Sequence, residues 1–127
     1  MTDRLKDHEV IALLEQVQAT GHIGSWIVEL DGSDHLRWSA ETYRIFGVSE
    51  EQFGGKSEDF FALVHPDDAS AVRAASASAV AGRAPYDIPH RIVRPDGGVR
   101  WVHERAEIVR GPDGRALRMI GTALDIT

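Results

Sequence analysis

Two tight-turn signals in the C-terminal half constrain the fold of this chain more than any other feature. They occupy residues 95–98 (Pro-Asp-Gly-Gly) and 111–114 (Gly-Pro-Asp-Gly). Each combines the fixed φ of proline with the access of glycine to positive φ, which is the chemistry of a tight turn. Because both signals lie between segments rich in β-branched residues, the chain from Tyr86 onward is predicted to form a meander of three antiparallel strands.

Pairing the strands about these turns predicts their register. Ile92 then lies opposite Val102, His90 opposite Glu104, and Val102 opposite Ala123. Both hairpins place the same alternating set on one face, which we assign to the core because most members are apolar or small. The set is Ile88, His90, Ile92, Val102, Glu104, Ala106, Met119, Gly121 and Ala123.

The N-terminal part of the chain shows helical and then strand periodicity. Residues 7–20 carry apolar side chains at the spacing of one helix face, and Gly21 follows them. Trp26, Val28 and Leu30 then alternate with polar residues before a turn at 31–34, so residues 25–38 are predicted to form a β-hairpin.

Short helices are predicted between the hairpin and the meander. Ser39 and Ser57 stand where serine caps a helix, and residues 49–52 have the form of a capping box. Pro66 is placed at the first position of a longer helix that runs to about residue 82, with two aspartates in its first turn.

The composition argues against several classes of function. The chain of 127 residues has 20 acidic and 14 basic side chains, a net charge of −6, which argues against a nucleic-acid binder. It contains no cysteine, which excludes disulfides, thiolate nucleophiles and Cys-ligated metals. No apolar stretch approaches the length of a membrane span, so we expect a cytoplasmic protein without direct membrane insertion.

The order of hairpin, short helices, longer helix and three-stranded meander resembles the PAS family of bacterial sensor modules. The resemblance covers residues 21–127. Its motifs lie at 24–26 (GSW), 38–39 (WS), 43–47 (YRIFG), 65–68 (HPDD), 91–97 (RIVRPDG), 100–102 (RWV) and 121–127 (GTALDIT). It implies an α+β fold in which a five-stranded antiparallel sheet carries short helices and one longer helix on one face. Residues 1–20 would form a separate N-terminal helix.

The resemblance also implies a role. PAS domains of this kind are non-catalytic sensors that pass a signal to an effector, such as a histidine kinase of a two-component system or a cyclic-di-nucleotide (GGDEF) enzyme, expected here beyond Thr127. The terminal Asp-Ile-Thr would be the exit, with Asp125 as the latch and Thr127 and Trp101 beside it in the relay. The alternative is a pocketless PAS module that serves only dimerisation and relay.

A ligand pocket is predicted between the sheet and the helices. His90 and Glu104 would be its polar groups, or else a mutually satisfied pair that joins two strands. The candidate lining residues are Trp26, Val28, Phe46, Phe60, Phe61, His90, Ile92, Val102, Glu104, Met119 and Ala123.

The outer face of the meander has an apolar patch of Val93, Trp101, Leu124 and Ile126. An apolar stripe on the N-terminal helix could cover it within one subunit or across a homodimer. The residues expected in this docking are Val10, Leu14, Val17 and Leu124.

No cofactor or metal is predicted. Haem-binding relatives usually ligate iron from the long helix, and residues 66–82 contain no histidine. Flavin photochemistry in light-sensing relatives uses a cysteine, which this chain lacks. The histidines show no metal-binding spacing, and no nucleophile and base combine as in an enzyme.

Overall fold

The computed structural model describes residues 16–127. Five strands form one antiparallel sheet in the order β2-β1-β5-β4-β3, so the N-terminal hairpin joins the meander through β1 and β5. This arrangement confirms the expected α+β architecture. The strands are β1 (Ile23–Glu29), β2 (Leu36–Trp38), β3 (Tyr86–Val93), β4 (Val99–Arg110) and β5 (Ala116–Asp125).

Three helices connect β2 to β3: α1 (Ala40–Phe46), α2 (Ser57–Phe61) and α3 (Ala69–Val80). Gly47 ends α1 in the left-handed conformation, with φ of 73°, as glycine does at a helix C-terminus. Residues 16–21 are also helical and lead into β1. The rest of the helix predicted over 7–20 lies outside the described residues. No helix within residues 16–127 is long and apolar enough to cross a membrane.

Two predicted helix starts are wrong by one to three residues. Lys56, not Ser57, is the N-cap of α2, and its backbone N–H donates to the Asp59 carboxylate. α3 begins at Ala69, because residues 66–68 form a turn. The carboxylate of Asp68 does not cap this helix but accepts three hydrogen bonds from Arg91 on β3, at 2.7 to 3.0 Å.

The predicted register of the first meander hairpin is also wrong, by two residues. His90 lies opposite Val102, and Glu104 lies opposite Ile88. The loop contains three residues, 95–97, and is closed by the N–H of Arg94 on the carbonyl of Gly98. Gly97 has φ of 89°, as expected for the left-handed position of a three-residue hairpin loop.

The second hairpin differs from the prediction for another reason. Glu104 lies opposite Ala123, and Val102 opposite Asp125, after a β-bulge between Val109 and Arg110. The bulge changes the register by one residue next to the turn and so decides which side chains of β5 face inward. Both errors equal two residues, so the predicted inner face keeps its members although their partners change.

The core lies between this inner face and the helices. Ile92, Val102 and Ala123 are fully buried on the sheet, and Phe46 of α1 packs against them. Val72 and Ala79 of α3 are buried on the helical side. The outer face of the meander stays open to solvent, with Trp101 and Ile120 both more than 40% exposed.

Candidate functional site

A cavity of about 130 Å³ lies between the inner face of the sheet and the three helices. Its wall runs from the buried Tyr86 and Glu104 to the exposed Asp34 in the β1–β2 turn. The lining residues are Trp26, Val28, Leu30, Asp34, Leu36, Trp38, Thr42, Phe46, Ser57, Phe60, Phe61, Val72, Ser76, Tyr86, Glu104 and Met119.

The structure brings most of the predicted pocket residues to this wall. Trp26, Val28, Phe46, Phe60, Phe61, Glu104 and Met119 line it. The other four predicted residues, His90, Ile92, Val102 and Ala123, are buried in the core but do not belong to the lining. They lie on the correct face of the sheet, toward the part that the core fills.

Sequence reasoning missed several wall residues. Tyr86 continues the alternation of Ile88, His90 and Ile92, so the same periodicity could have identified it. For Trp38 and Val72, the sequence indicated only that apolar residues tend to be buried, not that they line a cavity. Nothing in the sequence pattern pointed to Asp34 or Ser57, because their position at the cavity depends on the packing of two separate loops.

A buried polar cluster closes the inner end of the cavity. His90 Nε2 lies 2.6 Å from Glu104 Oε1, and the Tyr86 hydroxyl donates to the same oxygen at 3.1 Å. The other ring nitrogen of His90, Nδ1, lies 3.1 Å from the backbone carbonyl of Arg91. All three side chains are at least 96% buried. The cluster therefore joins β3 to β4 and presents Glu104 to the cavity.

The contacts of His90 favour its protonated form. Both ring nitrogens face oxygen acceptors, so an imidazolium can donate in both directions. Burial alone would lower the pKa of His90, but the hydrogen bond and the charge of Glu104 outweigh it and raise the pKa. Burial and the nearby Glu104 also raise the pKa of the Tyr86 phenol, which keeps its proton.

Two loops meet at the rim. The backbone N–H and the hydroxyl of Ser57 both donate to the Asp34 carboxylate, and Lys56 Nζ donates to the carbonyl of Ser33. Asp34 has φ of 54°, a conformation in which aspartate is tolerated better than most residues. These contacts hold the β1–β2 turn against the start of α2, beside the cavity mouth.

The predicted relay residues lie together at one end of the sheet. Arg100 donates to the Asp125 carboxylate from Nε at 3.1 Å and from the terminal nitrogen at 2.5 Å. Burial alone would raise the pKa of Asp125, but the hydrogen bonds from Thr127 and Arg100 outweigh it and lower the pKa. The Thr127 hydroxyl accepts from the backbone N–H of Trp101 at 3.0 Å. Residues 125–127 are thus held to β4 by these hydrogen bonds.

The predicted docking patch is only partly described. Trp101 and Ile126 are 44% and 47% exposed, and Leu124 is half-buried. Val17 is 56% exposed. Val10 and Leu14 lie outside the described residues, so their docking stays a prediction.

Comparison with known proteins gives one family. A family model described as the PAS fold matches residues 35–123. A curated relative, the uncharacterized protein y4lL of Sinorhizobium fredii, is 33% identical over the whole of this chain. The methyl sulfide methyltransferase-associated sensor of Methanosarcina acetivorans is 28% identical over 90% of it. The chain spans only 15% and 12% of the length of these two relatives.

Solved structures share the fold. A sensory box histidine kinase/response regulator from Burkholderia thailandensis superposes with a TM-score of 0.74 at 23% identity, covering 90% of this chain and 84% of that one. The N-terminal domain of a diguanylate cyclase with a PAS/PAC sensor from Marinobacter aquaeolei gives 0.72 at 20%, covering 82% and 94%. Light-oxygen-voltage domains, one of them studied with a flavin analogue, have the same fold.

Proposed function

The chain belongs to the PAS family, and on that premise we propose that it is a ligand-binding sensory module of a larger signalling protein. PAS domains are sensory modules rather than catalytic ones. The small fraction of the curated relatives that the chain spans supports a module within a longer protein. A histidine kinase or a diguanylate cyclase is the effector that we propose, since both kinds of protein carry this fold.

The observation that carries the proposal is the cavity with Glu104 at its inner end. At about 130 Å³ it is smaller than the pockets of drug-sized ligands, which begin at roughly 300 Å³. An engineered apolar cavity of about 150 Å³ accommodates benzene, so a ligand of about that size fits here. Apolar walls with a few convergent polar groups are typical of small-molecule sites.

The geometry supports a route from this cavity to the exit of the chain. Glu104 and its neighbour Val102 lie on β4, opposite Ala123 and Asp125 of β5. A ligand that binds one arrangement of β4 more tightly than another shifts the population toward it. We propose that this shift reaches the Arg100–Asp125 pair and changes the direction in which residues 125–127 leave the sheet.

The experiment that tests ligand binding is a thermal-denaturation screen of small molecules against three proteins. They are the wild type, Ser76→Leu, which fills the cavity, and Ser70→Leu, which adds the same side chain at an exposed site of α3. A true ligand raises the melting temperature of the wild type and of Ser70→Leu but not that of Ser76→Leu, because only the last loses the cavity. The proposal fails if every stabilising compound acts equally on Ser76→Leu, or if none stabilises the wild type.

The outer face of the sheet favours a second function, dimerisation. Val99, Trp101, Ile120 and Ile126 are each more than 40% exposed. An apolar surface of this kind often marks an interface. We propose a homodimer through this face, with or without a ligand. Light scattering should give twice the monomer mass for the wild type and the monomer mass for Trp101→Ser.

A further inference from the structure

The charge and the aromatic content of the cavity wall point to the chemical class of its ligand. We infer that the cavity binds a small organic cation, namely a quaternary ammonium with apolar substituents. This inference rests on the ligand-binding function proposed above and makes it specific.

The wall is rich in aromatic rings. Aromatic faces attract cations through the quadrupole of the ring, and clustered rings are the usual means by which proteins hold quaternary ammonium groups. The rings that line this cavity are Trp26, Trp38, Phe46, Phe60, Phe61 and Tyr86. Phe46 and Phe60 lie with centroids 6.0 Å apart and their ring planes inclined by 56°.

One ring of the wall already holds a cation. The guanidinium carbon of Arg73 lies 3.8 Å from the centroid of Phe61. Phe61 in turn meets Phe60 edge to face, with centroids 5.0 Å apart. Because Arg73 is exposed and does not line the cavity, it leaves the interior open to a second cation.

The charged groups of the wall are carboxylates. The lining contains the carboxylates of Asp34 and Glu104, and within the described residues it contains no lysine, arginine or histidine. An anionic ligand would lose its hydration without meeting an opposite charge, which is costly in a buried site. A cation would meet two carboxylates and the aromatic faces.

The inner carboxylate retains a free acceptor. Both hydrogen bonds that the structure describes for Glu104 go to Oε1, from Tyr86 and His90. Oε2 accepts none from the described residues, so a hydroxyl group of the ligand can donate to it. His90 offsets part of the charge of Glu104, and the aromatic faces therefore supply the rest of the selectivity for a cation.

The rim adds the second negative charge. The hydrogen bonds described for the Asp34 carboxylate come from the uncharged N–H and hydroxyl of Ser57. Lys56, which precedes Ser57 in the chain, donates instead to the carbonyl of Ser33, and Arg37 pairs with Glu29. The negative charge of Asp34 thus stays available to attract a cation to the mouth.

Three probes of nearly the same shape test the inference by isothermal titration calorimetry. They are choline, its uncharged carbon isostere 3,3-dimethyl-1-butanol, and the anion 3,3-dimethylbutanoate. We expect choline to bind at least about tenfold more tightly than the alcohol, and the anion not to bind. Phe60→Leu should reduce the preference for choline, whereas Met119→Leu, a non-aromatic exchange of similar volume in the same wall, should preserve it.

The outcomes separate this inference from the function on which it rests. If the alcohol or the anion binds as tightly as choline, the cation class is wrong, but ligand binding by the cavity stands. If none of the three probes binds, the cation class is also wrong, and the thermal-denaturation screen decides separately whether the cavity binds any ligand. Choline binding that persists in Ser76→Leu would place the cation elsewhere and overturn the inference.

Discussion

Two ion pairs join strands of the same sheet in opposite surroundings. The His90–Glu104 pair lies on the inner face with side chains 0% and 3% exposed, whereas in the Arg100–Asp125 pair they are 38% and 9% exposed. Taking charges out of water costs several kcal/mol per ion, which their attraction repays only when other hydrogen bonds complete the site. An ion pair near solvent typically contributes about 0–1 kcal/mol.

The comparison shows that the domain removes charges from water more completely at the inner face of the sheet than at its end. Tyr86 and the carbonyl of Arg91 complete the hydrogen bonds of the buried pair. Apolar side chains of similar volume would nevertheless fill the same space without the cost of removing charges from water. Its position at the end of the cavity places Glu104 where the ligand that we propose would contact it. The pair at the sheet end lies nearer to solvent and is expected to stabilise less, which suits the relay that we propose for it.

The strongest way to break the buried pair is to remove Glu104. Glu104→Ala leaves His90 and Tyr86 without their common acceptor in the core. We expect the free energy of unfolding to fall by about 3–5 kcal/mol, measured by urea denaturation. As a control, Glu104→Met combined with His90→Leu and Tyr86→Phe removes all three polar groups and should be less destabilising than Glu104→Ala alone. The reverse order would mean that the cluster itself contributes net stability.

The Asp68–Arg91 pair is about as exposed as the pair at the sheet end, with side chains 17% and 30% exposed, but three hydrogen bonds hold it together. Its hydrogen bonds connect the start of α3 to β3 and lower the pKa of Asp68 to about 2. Asp68→Ala should cost about 1–3 kcal/mol, the range for hydrogen bonds to charged groups. Because the folded pKa lies below the unperturbed 3.8, this contribution is present above pH 3.8 and is lost as the pH falls toward 2. An equal acid dependence in wild type and Asp68→Ala would contradict the assignment.

The protonation of His90 gives a pH test of the buried pair. Its pKa is raised above the unperturbed 6.5, so its contribution is complete below pH 6.5 and is lost as the pH rises through the folded value. We expect the free energy of unfolding of the wild type to decline over that interval relative to His90→Gln. A titration of the imidazole by NMR should give a midpoint above 6.5, and a midpoint below it would show that burial dominates.

The smallest effect on stability is expected at the exit. Asp125→Ala removes the partner of Arg100 and should change the free energy of unfolding by less than about 1 kcal/mol. In the larger signalling protein proposed above, the same change should uncouple effector output from the signal. Glu107→Ala, an exposed acidic residue of β4, serves as the matched control. Normal regulation of the Asp125→Ala protein would remove this residue from the relay.

The inner face of the sheet could be predicted although the pairing could not. Side chains alternate with a period of two, so an error of two residues leaves His90 and Glu104 on the same face. Their contact was expected across directly opposite positions and is made instead between diagonal ones, His90 opposite Val102 and Glu104 opposite Ile88. Long side chains reach diagonal neighbours, and so the predicted pair forms in the corrected register.

The cavity, like the sheet, could be predicted only in part. Alternation and helical spacing identified the apolar wall, because burial of one face leaves a periodic pattern in the sequence. The same reasoning placed His90, Ile92, Val102 and Ala123 in the pocket, whereas the structure packs them into the core beside it. Whether a given part of an apolar face is filled depends on the combined volumes of side chains from several elements. A sequence pattern within one element does not contain that information.

The sequence by itself thus determined the order of the elements, the inner face of the meander and the family, since these follow from turn chemistry, periodicity and spaced motifs. The tertiary structure alone decided the register, the extent of the cavity and its rim. A β-bulge at Val109/Arg110 fixes which residues of β5 pair with β4. Asp34 and Ser57 meet across 23 positions of the chain. Contacts between distant segments depend on how whole elements pack against one another, and the sequence of a single element does not determine this packing.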